Sequence, residues 1–196
     1  MFKVMLLVLC AALLVAGSVL GTLAYLKDSK TVTNTFSPST IKITLTETKG
    51  GADKTFKMVP GVAIEKDPLI TVEAGSEACW LFVKIDEDLG AWTAVGKTFS
   101  DYLTYSVITG TDGWTPLTGV SGVYYRKVAA SDADQPFKVL VDNAVNVLDT
   151  VTKADMDKLN VTGAEKPTLT FTAYAIQYAG FEENVSAAWA AALAQQ

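Results

Sequence analysis

Apolar and polar residues alternate with a period of two in several short runs after residue 40, and this pattern constrains the fold more than any other feature of the sequence. Ile41, Ile43 and Leu45 alternate with lysine and threonine, and turn residues separate this run from the next. Successive side chains of a β-strand point to opposite faces, so each run predicts a strand with one apolar and one wet face. Several short strands separated by turns are typical of an antiparallel all-β domain.

The segment 79–83 departs from this alternation because all of its residues are apolar. A run of this kind predicts a central strand that is covered on both faces, and we expect Cys79 to be a small buried residue within it. The acidic residues at 86–88 follow at once. They predict a solvated turn that closes the strand.

Two later segments also predict strands. One places Phe137, Val139 and Val141 at alternate positions, so we expect these three side chains to face inward. The other opens after Pro167 and is the clearest strand pattern in the chain. Its inward side chains are Leu169, Phe171, Ala173 and Ala175.

Two segments predict helices. Thr152 and Asp155 have the spacing of a capping box, which predicts a short helix that ends around Asn160. Near the C-terminus, apolar residues recur at the spacing of one helix face: Val185, Ala188, Trp189, Ala192 and Leu193. We interpret this stripe as packing on the chain's own sheets, with docking on another protein or on a membrane as the alternative.

About eight short strands and two helical segments fit an antiparallel β-sandwich or a jelly roll with a short helix and a C-terminal helix. We place this single domain at residues 37–196. A chain of 196 residues is long enough for one such domain with a sizeable core.

The N-terminus has the layout of a secretory signal peptide. One positive charge at Lys3 precedes an apolar core, and Gly17, Ser18 and Gly21 then interrupt the helix ahead of small residues. We predict a signal peptide at residues 1–24 that is cleaved between Ala24 and Tyr25. Cleavage between Tyr25 and Leu26 is the near alternative.

An uncleaved membrane anchor is the competing interpretation. Residues 4–26 carry no charged side chain, and roughly 20 apolar residues span a bilayer as a helix. The predicted location is therefore secreted, in the extracellular matrix or at the cell surface, with anchoring by an uncleaved leader as the alternative.

Composition argues against several classes of function. The net charge is −5 and no part of the mature chain clusters Lys and Arg, whereas nucleic-acid binding needs a basic face. The chain has no histidine, so the usual general base and the histidine ligands of zinc are missing. Cys79 is the single thiol outside the leader. We predict no catalytic, cofactor or metal-binding residue and no nucleic-acid partner.

The junction between leader and domain carries a family resemblance. Residues 21–26 (Gly-Thr-Leu-Ala-Tyr-Leu), Asp28, and residues 31–36 (Thr-Val-Thr-Asn-Thr-Phe) resemble the leader and junction of the TasA/camelysin family. The resemblance is most specific over residues 21–45. The strand at 170–177 and the Ala-rich tail that contains Trp189 support it more weakly.

The resemblance implies a secreted protein of a Gram-positive bacterium with a jelly-roll sandwich. It implies processing by a signal peptidase of the SipW type and assembly into fibres of the biofilm matrix, as a homopolymer with accessory matrix proteins as further partners. In such fibres the N-terminal segment of one subunit completes a sheet of the next, which is strand addition.

The segment that matches this donor strand lies within residues 25–36. Its composition suits an extended strand, because Val32, Thr33 and Thr35 favour extended backbone and neither Pro nor Gly interrupts it from 27 to 36. The candidate donor residues are Lys27, Thr31, Val32, Thr33, Asn34, Thr35 and Phe36. A flexible spacer, or pairing within its own domain, is the alternative for this segment.

Two other functions are alternatives to a structural fibre subunit. In a monomeric surface adhesin or ligand-binding module, exposed aromatic residues such as Trp92, Trp114, Tyr124 and Tyr125 would line a contact face. Some relatives of camelysin are described as metalloproteases, but the absence of histidine gives that activity little support here. We therefore predict that the protein is not an enzyme.

Overall fold

The computed structural model describes Met1, Met5 and residues 40–48, 56–94 and 96–195. The chain divides into two compact units, Met1–Pro38 and Ser39–Gln196. The second unit contains all of the strands and cores described below. The predicted signal peptide and the candidate donor segment lie outside the described residues.

The described part of the second unit is an all-β structure of ten strands, which confirms the predicted class. The strands are β1 (Ile43–Thr46), β2 (Ala63–Glu65), β3 (Leu69–Val72), β4 (Cys79–Asp88), β5 (Leu103–Val107), β6 (Thr115–Pro116), β7 (Val123–Val128), β8 (Gln135–Lys138), β9 (Leu140–Val147) and β10 (Thr168–Gln177). Two helices, α1 (Lys153–Leu159) and α2 (Val185–Leu193), and two 3-10 turns, Gly90–Trp92 and Phe99–Asp101, complete it.

These strands form three antiparallel sheets. The four-stranded sheet has the order β10-β4-β7-β6, and the two three-stranded sheets have the orders β1-β3-β8 and β2-β9-β5. Only Val139 separates β8 from β9, and its N–H donates to the carbonyl of Pro68 just before β3. The two smaller sheets are therefore joined along one stretch of chain.

The main core brings together one face of the four-stranded sheet and side chains of both smaller sheets. Leu81, Val83 and Ile85 of β4 lie in one buried cluster with Ile70 of β3 and Val145 of β9. The opposite face of β4 presents Phe82 to a second cluster. The predicted central strand with two covered faces is confirmed.

Helix α2 supplies the second cover of β4. Ala188, Trp189 and Ala192 are buried against Phe82, whose ring centroid lies 5.2 Å from that of Trp189. Leu193, at the edge of the stripe, is 43% exposed. The interpretation that the C-terminal stripe packs on the chain's own sheets is confirmed.

Helix α1 begins at the predicted capping box. The hydroxyl oxygen of Thr152 accepts a hydrogen bond from the N–H of Asp155 (3.2 Å), and the carboxylate of Asp155 accepts one from the N–H of Thr152 (3.1 Å). These two bonds satisfy N–H groups that the first turn of a helix leaves without partners. The indole N–H of Trp92 donates to the carbonyl of Asp155 at 2.8 Å, which ties the helix to the core.

The predicted turn at 86–88 is wrong. Strand β4 continues to Asp88, because Asp86, Glu87 and Asp88 pair with the first residues of β10. Their carboxylates stay exposed while the backbone completes the ladder. Strand pairing therefore overrides the low strand propensity of these residues.

The inward alternation predicted for Phe137, Val139 and Val141 is wrong at its last position. Val139 is fully buried, but Val141 is 41% exposed. Asp142 and Asn143 both have positive φ (56° and 52°), and the pairing of β5 with β9 shifts register across this region. Val139 and Leu140 are both buried where the chain passes from β8 of one sheet to β9 of another, so the period of two already breaks before Val141. Leu45 of β1 is likewise 36% exposed.

We expect Trp189→Ala to destabilise the protein by about 3 kcal/mol, because it removes the largest side chain from the contact between α2 and the four-stranded sheet. Leu193→Ala is the matched control on the exposed side of the same helix and should cost less than about 1 kcal/mol. Urea unfolding followed by circular dichroism measures both. Equal losses would contradict the assigned role of α2.

Candidate functional site

The residues that the sequence singled out for processing and assembly fall outside the described part of the chain. These residues are Ala24 and Tyr25 at the predicted cleavage site and Lys27, Thr31, Val32, Thr33, Asn34, Thr35 and Phe36 in the candidate donor strand. They stay predictions. The described residues do, however, include the surface that such a strand would need.

The other residues considered from sequence mostly belong to the core. Trp92 and Trp114 are buried, with their indole N–H groups bonded to backbone carbonyls, and Tyr124 and Tyr125 are half-buried. The two tryptophans therefore offer no exposed contact face. Cys79 is fully buried, as predicted, and burial raises the pKa of its thiol from 9.0 to about 11.

The acidic residues form no cation site within the described ranges. No group of three or more His, Cys, Asp or Glu side chains in that part of the chain is arranged to hold a metal ion. Asp86 is instead paired with Lys84 at 2.6 Å, and Glu87 accepts a hydrogen bond from the Tyr105 hydroxyl at 2.7 Å.

The strongest candidate for a functional surface is one edge of β10. This strand pairs with β4 over its whole length, and no other strand of the described residues pairs with it. Just beyond its end, the N–H of Tyr178 donates to the carbonyl of Ala78 at 2.8 Å. In an antiparallel pair, the residues that exchange such bonds alternate with residues whose N–H and C=O point away from the partner.

This alternation identifies the groups on the outer edge of β10. The register with β4 runs without interruption from Thr168 to Gln177, so the even-numbered residues bond to β4 and the odd-numbered ones face outward. The outward backbone groups belong to Leu169, Phe171, Ala173, Ala175 and Gln177. They form a row of backbone groups that no strand of the described residues pairs with, although β1 of a neighbouring sheet lies close to β10.

The sequence of β10 does nothing to protect this edge. Natural edge strands are commonly blocked by a charged residue, a proline or a bulge. Between Thr168 and Gln177 there is no charged residue, proline or glycine, and the pairing with β4 shows no bulge. Lys166 and Pro167 stand just ahead of the strand rather than within it.

An apolar groove of about 780 Å³ lies against the start of β10. Its apolar walls come from distant parts of the chain, among them Ile64, Phe99, Leu103, Val145, Leu159 and Leu169. The consecutive residues 166–170 all line it. Only Thr168, Leu169 and Thr170 of this wall belong to β10, so the groove meets the strand at its first three residues.

A buried ion pair stands at one side of this groove. Lys66 lines the groove, and its ammonium group contacts both carboxylate oxygens of Glu47, at 2.7 and 2.9 Å. The two side chains are only 14% and 12% exposed. The same ammonium group lies 5.3 Å from the ring centroid of Phe171, so the pair ties the end of β1 to β10.

Sequence reasoning missed the groove. Its walls come from the segment before β2, from β2, the 3-10 turn Phe99–Asp101, β5, β9 and α1, and from the start of β10. These segments are far apart in the sequence, and their apolar members look like ordinary core positions. The one local signal concerns the edge of β10 and not the groove: residues 168–177 contain no charged residue, proline or glycine.

Comparisons with family models, with curated proteins and with solved structures find no significant match to this chain. Among the helices of the described ranges, none has the length and apolar character needed to cross a membrane.

The buried thiol gives stability a pH dependence. Because the pKa of Cys79 is higher in the folded than in the unfolded chain, its stabilising effect is complete below about pH 9 and is lost as the pH rises toward 11. Between pH 9 and pH 11 the free energy of unfolding of the wild type should fall by about 2 kcal/mol more than that of Cys79→Ala. Urea titrations of both proteins across this range test the point, and parallel pH profiles would contradict it.

Proposed function

We propose that the protein is a secreted structural subunit of extracellular fibres, which assembles by adding its N-terminal segment, residues 27–36, to the next subunit. The observation that carries the proposal is the outer edge of β10, which no strand of the described residues pairs with and which lies beside an apolar groove. The donor segment and its processing by a SipW-type signal peptidase remain inferences from the sequence.

The chemistry of the donor segment complements that surface. Thr31, Thr33 and Thr35 alternate with Val32, Asn34 and Phe36, so an extended strand has one hydroxyl-rich face and one face with two large apolar side chains. With its backbone paired to β10, this second face can cover apolar groove residues such as Leu103 and Leu159. Burying Val32 and Phe36 is worth about 1.5–3 kcal/mol for each side chain.

Strand donation of this kind can extend without limit. The donor lies at the N-terminus and the acceptor edge lies near the C-terminal end of the fold, so each contact joins two different surfaces. Such heterologous contacts form open filaments when they do not close into a ring. Cleavage of the leader would release the strand outside the cell, which restricts assembly to the extracellular space.

We extend the proposal to the arrangement of the three sheets. We infer a jelly-roll sandwich in which the four-stranded sheet faces the two joined three-stranded sheets. The support is that residues of all three sheets enter one buried cluster. An incomplete sandwich edge at β10 is the place where an added strand would extend the four-stranded sheet.

Removing residues 25–36, which include the candidate donor strand, should abolish fibres and leave a folded monomer. We compare a chain that begins at Tyr25 with one that begins at Ser37, by negative-stain microscopy and circular dichroism after incubation at high concentration. Only the longer chain should form filaments, because only it carries a donor strand. Filaments from both chains would refute donation by this segment.

A synthetic peptide of residues 27–36 provides the matched control. It should block filament growth by occupying the acceptor edge. The same peptide with serine in place of Val32 and Phe36 should block much less, since it buries no large side chain.

The acceptor edge is tested by a pair of substitutions at one position. Leu169→Ala and Leu169→Pro both remove the leucine side chain, but only the proline also removes the N–H that points away from β4. Leu169→Ala should still assemble, and Leu169→Pro should lose at least about tenfold in the rate of filament elongation. Thermal unfolding of the monomers shows whether both are folded. Equal elongation rates would exclude this edge as the acceptor.

A further inference from the structure

The groove beside β10 carries a charge pattern that strand pairing does not require. The described residues that line it include three lysines, Lys57, Lys66 and Lys166, and no aspartate or glutamate. The whole chain has a net charge of −5. A groove whose described charged groups are all cationic, in an acidic protein, favours an anionic occupant.

The three lysines are not equivalent. The charge of Lys66 is balanced by Glu47, which contacts it with both carboxylate oxygens. Lys57 and Lys166 are exposed at the rim. The ammonium group of Lys166 donates to the carbonyl of Leu159 at the end of α1, which holds it at the mouth of the groove. These two rim lysines are the groove cations that a ligand can contact from solvent.

The interior of the groove is apolar and of the size of a small-molecule site. Its volume of about 780 Å³ falls within the range of about 300–1,000 Å³ that is usual for ligand pockets. Ile64, Leu103, Val145 and Leu159 contribute hydrocarbon surface to its walls. An apolar interior with cations at its rim complements a molecule that has one long hydrocarbon chain and one anionic end.

We propose that this groove binds a free long-chain fatty acid, with its carboxylate between Lys57 and Lys166 and its hydrocarbon chain along the apolar interior. The binding itself uses only side chains of the groove. One consequence rests on the proposed function: a bound fatty acid occupies the place of the donor strand, so it inhibits fibre growth.

Displacement of the fluorescent fatty acid cis-parinaric acid from the purified, processed, monomeric chain tests the binding. Palmitate should displace it from one site per chain. Hexadecanol and hexadecyltrimethylammonium, which have the same hydrocarbon chain without the negative charge, should displace it at least about tenfold more weakly. Each methylene added to a shorter fatty acid should tighten binding by up to about fourfold while the groove can bury it.

Two double variants with the same net charge separate a rim effect from a general charge effect. Lys57→Glu with Lys166→Glu should weaken palmitate binding at least about tenfold. Lys42→Glu with Lys138→Glu changes two exposed lysines outside the groove lining and should weaken it less than about twofold. Equal losses in the two variants, equal binding of palmitate and hexadecyltrimethylammonium, or no saturable binding would each overturn the proposal.

The two proposals fail separately. Palmitate binding by a chain that never forms filaments would remove the fibre function and leave the ligand site. Filaments without palmitate binding would do the reverse. If both hold, palmitate should slow elongation of the wild type and leave the Lys57→Glu, Lys166→Glu variant unaffected.

Discussion

The burial of β4 on both faces is the constraint on which the rest of the structure depends. Leu81 and Val83 face the main core, and Phe82 faces α2. A strand without a polar face has to lie between two layers, and it needs a hydrogen-bonded neighbour on each side. The smaller sheets supply one layer, α2 supplies the other, and β7 and β10 are the neighbours.

In this arrangement β4 has a hydrogen-bonded strand on each side, and β10 is the strand at the end of the sheet. Helix α2 covers a face of the four-stranded sheet and leaves the outward backbone groups of β10 without a strand among the described residues. At the other end of the same sheet the edge strand β6 has only two residues, which is one of the ways in which natural proteins limit an exposed edge. The contrast between a two-residue edge and a ten-residue edge is why we propose β10 as the acceptor.

Local patterns were enough to predict the elements whose environment is set by their own residues. The apolar run at 79–83, the capping box of Thr152 and Asp155 and the stripe around Trp189 each carry their signal within a few positions. The failures are non-local. Asp86 is in a strand because β10 pairs with it, Val141 points outward because the chain changes sheets at Val139, and the groove forms only where seven segments meet. No window of the sequence contains such information.

The two occupants that we propose for the groove would use different groups of it. An added strand gains its hydrogen bonds from the backbone edge of β10 and needs no charge, whereas a fatty acid needs no backbone edge and gains from the ammonium groups of Lys57 and Lys166. They share only the apolar interior, where hydrophobic burial is non-directional and accepts either hydrocarbon. Competition between them therefore follows from the shape of the site, while their affinities can change independently. A site built in this way can couple assembly to the presence of free fatty acid without any change of conformation, because occupancy alone decides whether the next strand can enter.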